Sequence, residues 1–226
     1  MFVRVPSRRR PPIAWVAPTL VLASMLVFVW LAMLDPEPRA QFLRDWGAVP
    51  ETLFAGEPLS AVIDGRLLTL GSALFIHADW LHLVGNMLFL VIFGLPAERA
   101  LGPWRFLFLF LIGGALANLA AVTLIDVSRV VVVGASGAIS AVIGAYLALF
   151  PRAKLGFVLP LGLFLEFVRT PASVMIGVWA LLQLAFTFVG PGFGAVAWSA
   201  HLAGFVLGVL FGLFARPAIA RRMRHH

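Results

Sequence analysis

The chain has 226 residues, 62% of them hydrophobic and only 12% charged, with a mean hydropathy of +1.00. Soluble domains carry about 25% charged residues, so the composition is that of a polytopic membrane protein, and the absence of cysteine excludes disulfides and thiolate metal sites. The net charge of +7 does not mark a nucleic-acid binder, because the basic residues sit at the chain ends and in short loops beside apolar runs, where they set topology.

In chain order, Arg8, Arg9 and Arg10 precede an apolar run from Ile13 to Leu34. That run is too long for the apolar region of a secretory leader and is read as a retained helix. A crossing helix needs about 20 apolar residues. Six candidate spans follow, at roughly 13–34, 78–95, 105–125, 135–150, 172–189 and 196–215. The second and fourth are short and begin with polar or small residues, as expected of helices that start in a protein-lined space. The loop from about 35 to 77 is acidic and aromatic, and is expected to rest on or in the outer leaflet. Asp79 is placed to cap the second span. Glu98 with Arg99 ends that span, and a solvated or loop-anchoring ion pair is the default reading. A further apolar run, Leu155 to Val168, contains Pro160 and Glu166 and is read as re-entrant or interfacial.

With six spans, thirteen basic residues fall on one side, including Arg4, Arg99, Arg105, Arg152, Lys154, Arg169 and Arg216. Only Arg39, Arg44, Arg66 and Arg129 fall on the other. The positive-inside rule then puts both termini in the cytoplasm. The expected architecture is all-α: a basic segment 1–12, one six-helix domain 13–215 and a basic tail 216–226.

Polar groups at membrane depth are costly and usually functional. His82 and Asn86, four residues apart, share a helix face near the outer end of the second span. Ser136 stands near the outer start of the fourth span, in Gly134-Ala135-Ser136-Gly137. His201 lies about five residues, roughly 8 Å, into the sixth. Three helices thus bring Ser, His and His/Asn to one level. Gly204 and Gly208 lie on the face of His201, and Ser140 and Gly144 on the face of Ser136. Small residues let helix backbones approach closely, so these faces are expected to pack together and bring His201 within reach of Ser136. A serine hydroxyl becomes nucleophilic when a base takes its proton, and His201 is the candidate base. Asn86, His82 and the Ser136 backbone N–H are candidate oxyanion donors, with Gly134 beside them. No carboxylate is placed to orient His201, so a dyad is expected, with no metal or cofactor. Asn118 and Gln183 are read as interhelical hydrogen-bonding groups.

The stretches "HADWLHLVGNMLFLVIFG", "ERALGPWRFLFLF", "VGASGAISAVIGAYLALFPRAK" and "AHLAGFVLG" closely resemble the bacterial type of rhomboid intramembrane serine proteases, in the family's order, from about Trp46 to Phe214. The resemblance implies a six-helix bundle with Ser136 as nucleophile, His201 as base and His82 and Asn86 on the oxyanion side. It implies that His77 organises polar groups and water nearby, that Glu98 is structural, and that the fifth span is a lateral gate on which Trp179 is a candidate residue. It further implies membrane-protein substrates met within the bilayer of a bacterial inner membrane. One position departs from the pattern: some relatives carry an aromatic residue four positions after the nucleophile, stacked on the catalytic histidine, where this chain has Ser140. Trp198 or a neighbouring Phe is then the expected orienting group. Two other classes fit a polar pocket in a helix bundle. A non-catalytic chaperone or scaffold would bind client helices there, and a transporter would continue the polar path inward, where spans two, four and six are instead apolar.

Overall fold

The computed structural model describes residues 13–125, 130–161, 164–189 and 197–224. The basic segment 1–12 and Arg129 lie outside the described residues. The chain forms a helical bundle built on α1 (Val16–Ala32), α3 (Trp80–Leu101), α4 (Pro103–Leu124), α5 (Ser136–Leu149), α6 (Ala172–Val189) and α7 (Trp198–Arg224), with α2 (Pro36–Trp46) in the long loop after α1. Among the described residues, four helices are long and apolar enough to cross a membrane alone, namely α3, α4, α6 and α7 over Trp198–Ile219. α1 and α5 are shorter, at 17 and 14 residues, about 26 and 21 Å.

The second span is longer than its sequence indicated, 22 residues instead of ending near 95. Its π-helical stretch Leu90–Gly94 widens the helix just before Pro96, which has no N–H to return to the preceding turn. α7 likewise continues beyond 215 to Arg224, through Pro217.

The segment Leu155–Val168 is neither a helix nor a plain loop. Lys154–Leu161 (β1) and Phe164–Pro171 (β2) pair antiparallel, from Lys154 opposite Pro171 to Leu161 opposite Phe164. The pairing satisfies backbone groups that an apolar but non-helical segment would otherwise leave exposed.

Glu98 is 1% exposed and holds no ion pair with Arg99 among the described residues. Its carboxylate accepts the backbone N–H groups of Trp15, Val16 and Ala17, each at 2.8 Å. Pro18 has no N–H, and Thr19 opens the intrahelical series by donating to the Trp15 carbonyl. Glu98 therefore satisfies every first-turn donor of α1 and places a negative charge at the positive end of its dipole. The two ends are separated by 81 to 83 residues, so α1 and α3 are locked together at that side of the bundle.

α5 is the central element. Eleven of its fourteen residues, from Gly137 to Ala148, are buried. On one side Gly113 and Gly114 of α4 face Ala141 and Ala138. On the other, Gly204, Gly208 and Gly212 of α7 face the backbone of Gly137, Ala141 and Ala145. The α5–α7 contact is the glycine-faced packing expected from the sequence, and a side chain at Gly204 or Gly208 would force the two backbones apart. Large apolar side chains point outward instead, among them Leu22, Phe108, Leu181, Phe188 and Phe214.

Candidate active site

The loop 35–77 fixes the approach to α5. Ala48 and Val132 exchange both backbone hydrogen bonds, at 3.0 and 2.9 Å, and the Gly134 N–H donates to the Ala73 carbonyl at 2.9 Å. Asn118 of α4 anchors the same loop by donating to the Leu70 carbonyl at 2.9 Å, so its partner is a loop segment and not another spanning helix. Loop side chains Trp46, Phe54, Ile63 and Leu68 are exposed, while Leu53, Leu70 and Leu74 are buried.

Gly134 has φ +116°, a backbone state that L side chains rarely adopt. A Cβ there would also stand 2.6 Å from both Cε1 and Nε2 of His82, and 3.7 Å from Nδ2 of Asn86. The glycine therefore lets the chain pass directly over the His82 ring. Two residues later, Ser136 begins α5.

Asp79 caps α3 as expected, accepting the His82 N–H at 2.8 Å. His77 does not cap. It is 1% exposed, and its ring sits edge-on to that of His82 with centroids 5.2 Å apart. Neither ring nitrogen has a hydrogen-bond partner of normal geometry among the described residues. Burial, and then the neighbouring His82, push the His77 imidazole down to about 4, so it is neutral at physiological pH.

Ser136, His201, His82 and Asn86 line a single cavity of about 1080 Å³, together with Asp79, Ser140, Gln183 and Trp198. The α5–α7 contact brings the first two near each other: a Cβ on Gly137 would lie 3.7 Å from Ala200, the residue before His201. Asn86 is 8% exposed, and its Nδ2 has no hydrogen-bond partner among the described residues. Ser140 donates its hydroxyl to the Ser136 carbonyl at 2.7 Å, a local helix bond that takes it away from the His201 ring.

The His201 ring has an aromatic neighbour and a polar one. Trp198 does contact it, edge-on, with centroids 6.0 Å apart. The hydrogen bond comes from α6: Oε1 of Gln183 lies 2.7 Å from Nδ1 of His201. Gln183 is thus the interhelical hydrogen-bonding group that its place in the fifth span suggests, and the structure adds that its partner is His201. Trp179, on the same helix, packs edge-on against Phe205 of α7 and borders the cavity.

The chain is similar to a known family of proteins. The Rhomboid domain family model matches residues 64–218. Rhomboid protein 1, mitochondrial, of Saccharomyces cerevisiae is 30% identical over 167 residues, covering 71% of this chain and 45% of that protein. RHOMBOID-like protein 12, mitochondrial, of Arabidopsis thaliana is 33% identical over 156 residues, 62% of this chain and 44% of its own length. Rhomboid protease GlpG of Haemophilus influenzae is 27% identical over 199 residues, 86% of this chain and 88% of its own length. The chain spans about half the length of the mitochondrial relatives it matches. Since the family match runs through the cavity, the helices that line it and the glycine contacts that close it, this multi-pass membrane protein belongs to the rhomboid family.

Proposed function

We propose that the protein is an intramembrane serine endopeptidase that cleaves membrane-spanning segments with a Ser136–His201 dyad. The observation that carries this reading is the shared cavity: Ser136 and His201 border it from two closely packed helices, and the unpartnered Asn86 amide borders it from a third. In the reaction, Ser136 Oγ attacks the substrate carbonyl carbon while Nε2 of His201 takes its proton. The carbonyl oxygen becomes an oxyanion, and donors already in position stabilise it without reorganising. Asn86 Nδ2, the His82 ring and the Ser136 backbone N–H at the start of α5 are those donors. His201 then passes the proton to the leaving amine, and water hydrolyses the acyl-serine by the same two steps. His77, buried and neutral beside His82, supports that ring from behind.

A helical substrate hides its carbonyls in backbone hydrogen bonds, so the scissile segment has to unwind before attack. Segments containing Gly, Pro or other small residues are the preferred substrates. In this reading the cavity opens toward the outer face and both termini are cytoplasmic, which the asymmetry of basic residues supports, and the membrane is the inner membrane of a bacterium, as the resemblance to bacterial-type rhomboids implies. The proposed six-helix domain starts near residue 13 and includes α7 to its end at Arg224.

The test is a gel assay of purified protein against a single-span substrate, with a fluorophosphonate probe alongside. Wild type should cut and be labelled, and Ser136→Ala and His201→Ala should do neither while remaining folded. Cleavage retained by purified Ser136→Ala overturns the nucleophile. A folded wild type that binds substrate but resists both assays is a scaffold.

A further inference from the structure

The imidazole of a serine–histidine pair works only in one tautomer. Nε2 has to present its lone pair to the serine, so the proton of the neutral ring must reside on Nδ1. In this chain Nδ1 of His201 faces Oε1 of Gln183 at 2.7 Å. A carboxamide oxygen accepts and cannot donate, so this contact holds the proton on Nδ1. Gln183 is 7% exposed and belongs to a different helix, so a packed neighbour fixes the ring and its own backbone does not. The competing partners are engaged elsewhere: Ser140 bonds the Ser136 carbonyl, and Asp79 bonds the His82 N–H. Trp198 offers the ring an edge contact that restricts its tilt without selecting a tautomer.

We propose that Gln183 is the positioning residue for His201, its carboxamide oxygen taking the place that a carboxylate holds in a catalytic triad. This rests on the dyad reading given above. The neutral amide suits the site, because an anion buried at membrane depth carries a large desolvation penalty. It also ties the chemistry to α6. That helix has 17% of its membrane-length window buried, against 22%, 39% and 44% for α7, α3 and α4, so it is the least enclosed of the long helices. Outward displacement of α6 withdraws the acceptor and releases the ring.

The experiment compares purified wild type, Gln183→Leu and Gln183→Glu in fluorophosphonate labelling rate across pH, with ¹⁵N-histidine spectra of His201 as a direct tautomer readout. Gln183→Leu should label about 10- to 100-fold more slowly, the effect of losing one orienting hydrogen bond in a dry site, and its His201 should lose the Nδ1–H signature. Gln183→Glu keeps an acceptor oxygen and should restore labelling at high pH. Its added charge favours the imidazolium, so the acid limb of its profile should move up by about one pH unit or more. Asp79 and His82 also line the cavity, and both are unchanged in every variant. Wild-type rate and spectrum in Gln183→Leu overturn the proposal. Should that variant not fold, an unshifted acid limb in Gln183→Glu overturns it instead. Absence of labelling in folded wild type indicts the dyad, whereas normal wild-type labelling with indifferent Gln183 variants indicts Gln183 alone.

Discussion

Replacing Gly208 by Ala tests whether the α5–α7 contact sets the reactive geometry. An added methyl would stand 2.7 Å from Cα of Ala141 and overlap its carbonyl oxygen. Carbon atoms pack best at about 3.5–4.0 Å, so α7 has to retreat from α5 by about 1 Å. Neither backbone can yield locally, because the obstruction is main chain on both sides. Gly208 is seven residues from His201, two turns along the same rigid helix, so the retreat is passed on to the imidazole. A displacement of about 1 Å at a reacting pair lowers its rate on the order of 100-fold, and overpacking of this kind destabilises by about 1–3 kcal/mol. The control is Gly177→Ala on α6, where an added Cβ meets nothing within 4 Å. Fluorophosphonate labelling, normalised to folded protein by thermal melting, should fall about 100-fold in Gly208→Ala and hold in Gly177→Ala. Wild-type labelling in a folded Gly208→Ala protein would refute the proposal that the glycine contacts between α5 and α7 set the spacing of the proposed Ser136–His201 dyad.

Three further outcomes follow from the same coordinates. Gly134→Ala should slow labelling at least 10-fold with a stability loss of about 1–3 kcal/mol, since it adds strain at φ +116° and drives a methyl into the His82 ring; an unaffected rate would show that His82 is not needed where it stands. Glu98→Ala leaves the buried N–H groups of Val16 and Ala17 and the part-buried one of Trp15 without an acceptor and should destabilise by about 2–3 kcal/mol or more, read as a lowered melting midpoint, while the labelling rate of the folded fraction stays at the wild-type value. For His77 the folded protein favours the neutral ring, with titration lowered from 6.5 to about 4, so the unfolded chain binds the extra proton between those values. Its stability contribution is therefore full above pH 6.5 and declines by about 3 kcal/mol as pH falls toward 4. Melting of wild type relative to His77→Leu across that range should show the decline, and parallel curves would count against it.

Much of this molecule can be read from the order of its residues. Apolar runs and arginine placement give the spans, because the bilayer imposes length and charge rules on each segment separately. Helical spacing put His82 with Asn86, and Gly204 and Gly208 with His201, because 3.6 residues per turn is a local property. The Asp79 cap is local in the same sense. Other features lie between segments far apart in the chain. Nothing near Glu98 indicates that its carboxylate closes a helix more than 80 residues earlier, and its neighbour Arg99 offers a misleading partner. Pro160 and Glu166 mark the run 155–168 as something other than a crossing helix, but its pairing as a hairpin over 154–171 joins residues that no local pattern relates. The second span extends past residue 95 through a π-helical turn and Pro96, a continuation that its apolar run does not indicate.

What the sequence determined by itself is the set of helices, their small-residue faces and the polar residues at one depth, because these follow from local periodicity and from the cost of polarity in lipid. What only the tertiary structure decided is which groups meet: Gln183 with His201, Gly134 with His82, and Glu98 with the start of α1. Hydrogen bonds and backbone contacts between helices depend on rotation and separation to within about an ångström, and that precision arises only once every helix is packed against its neighbours.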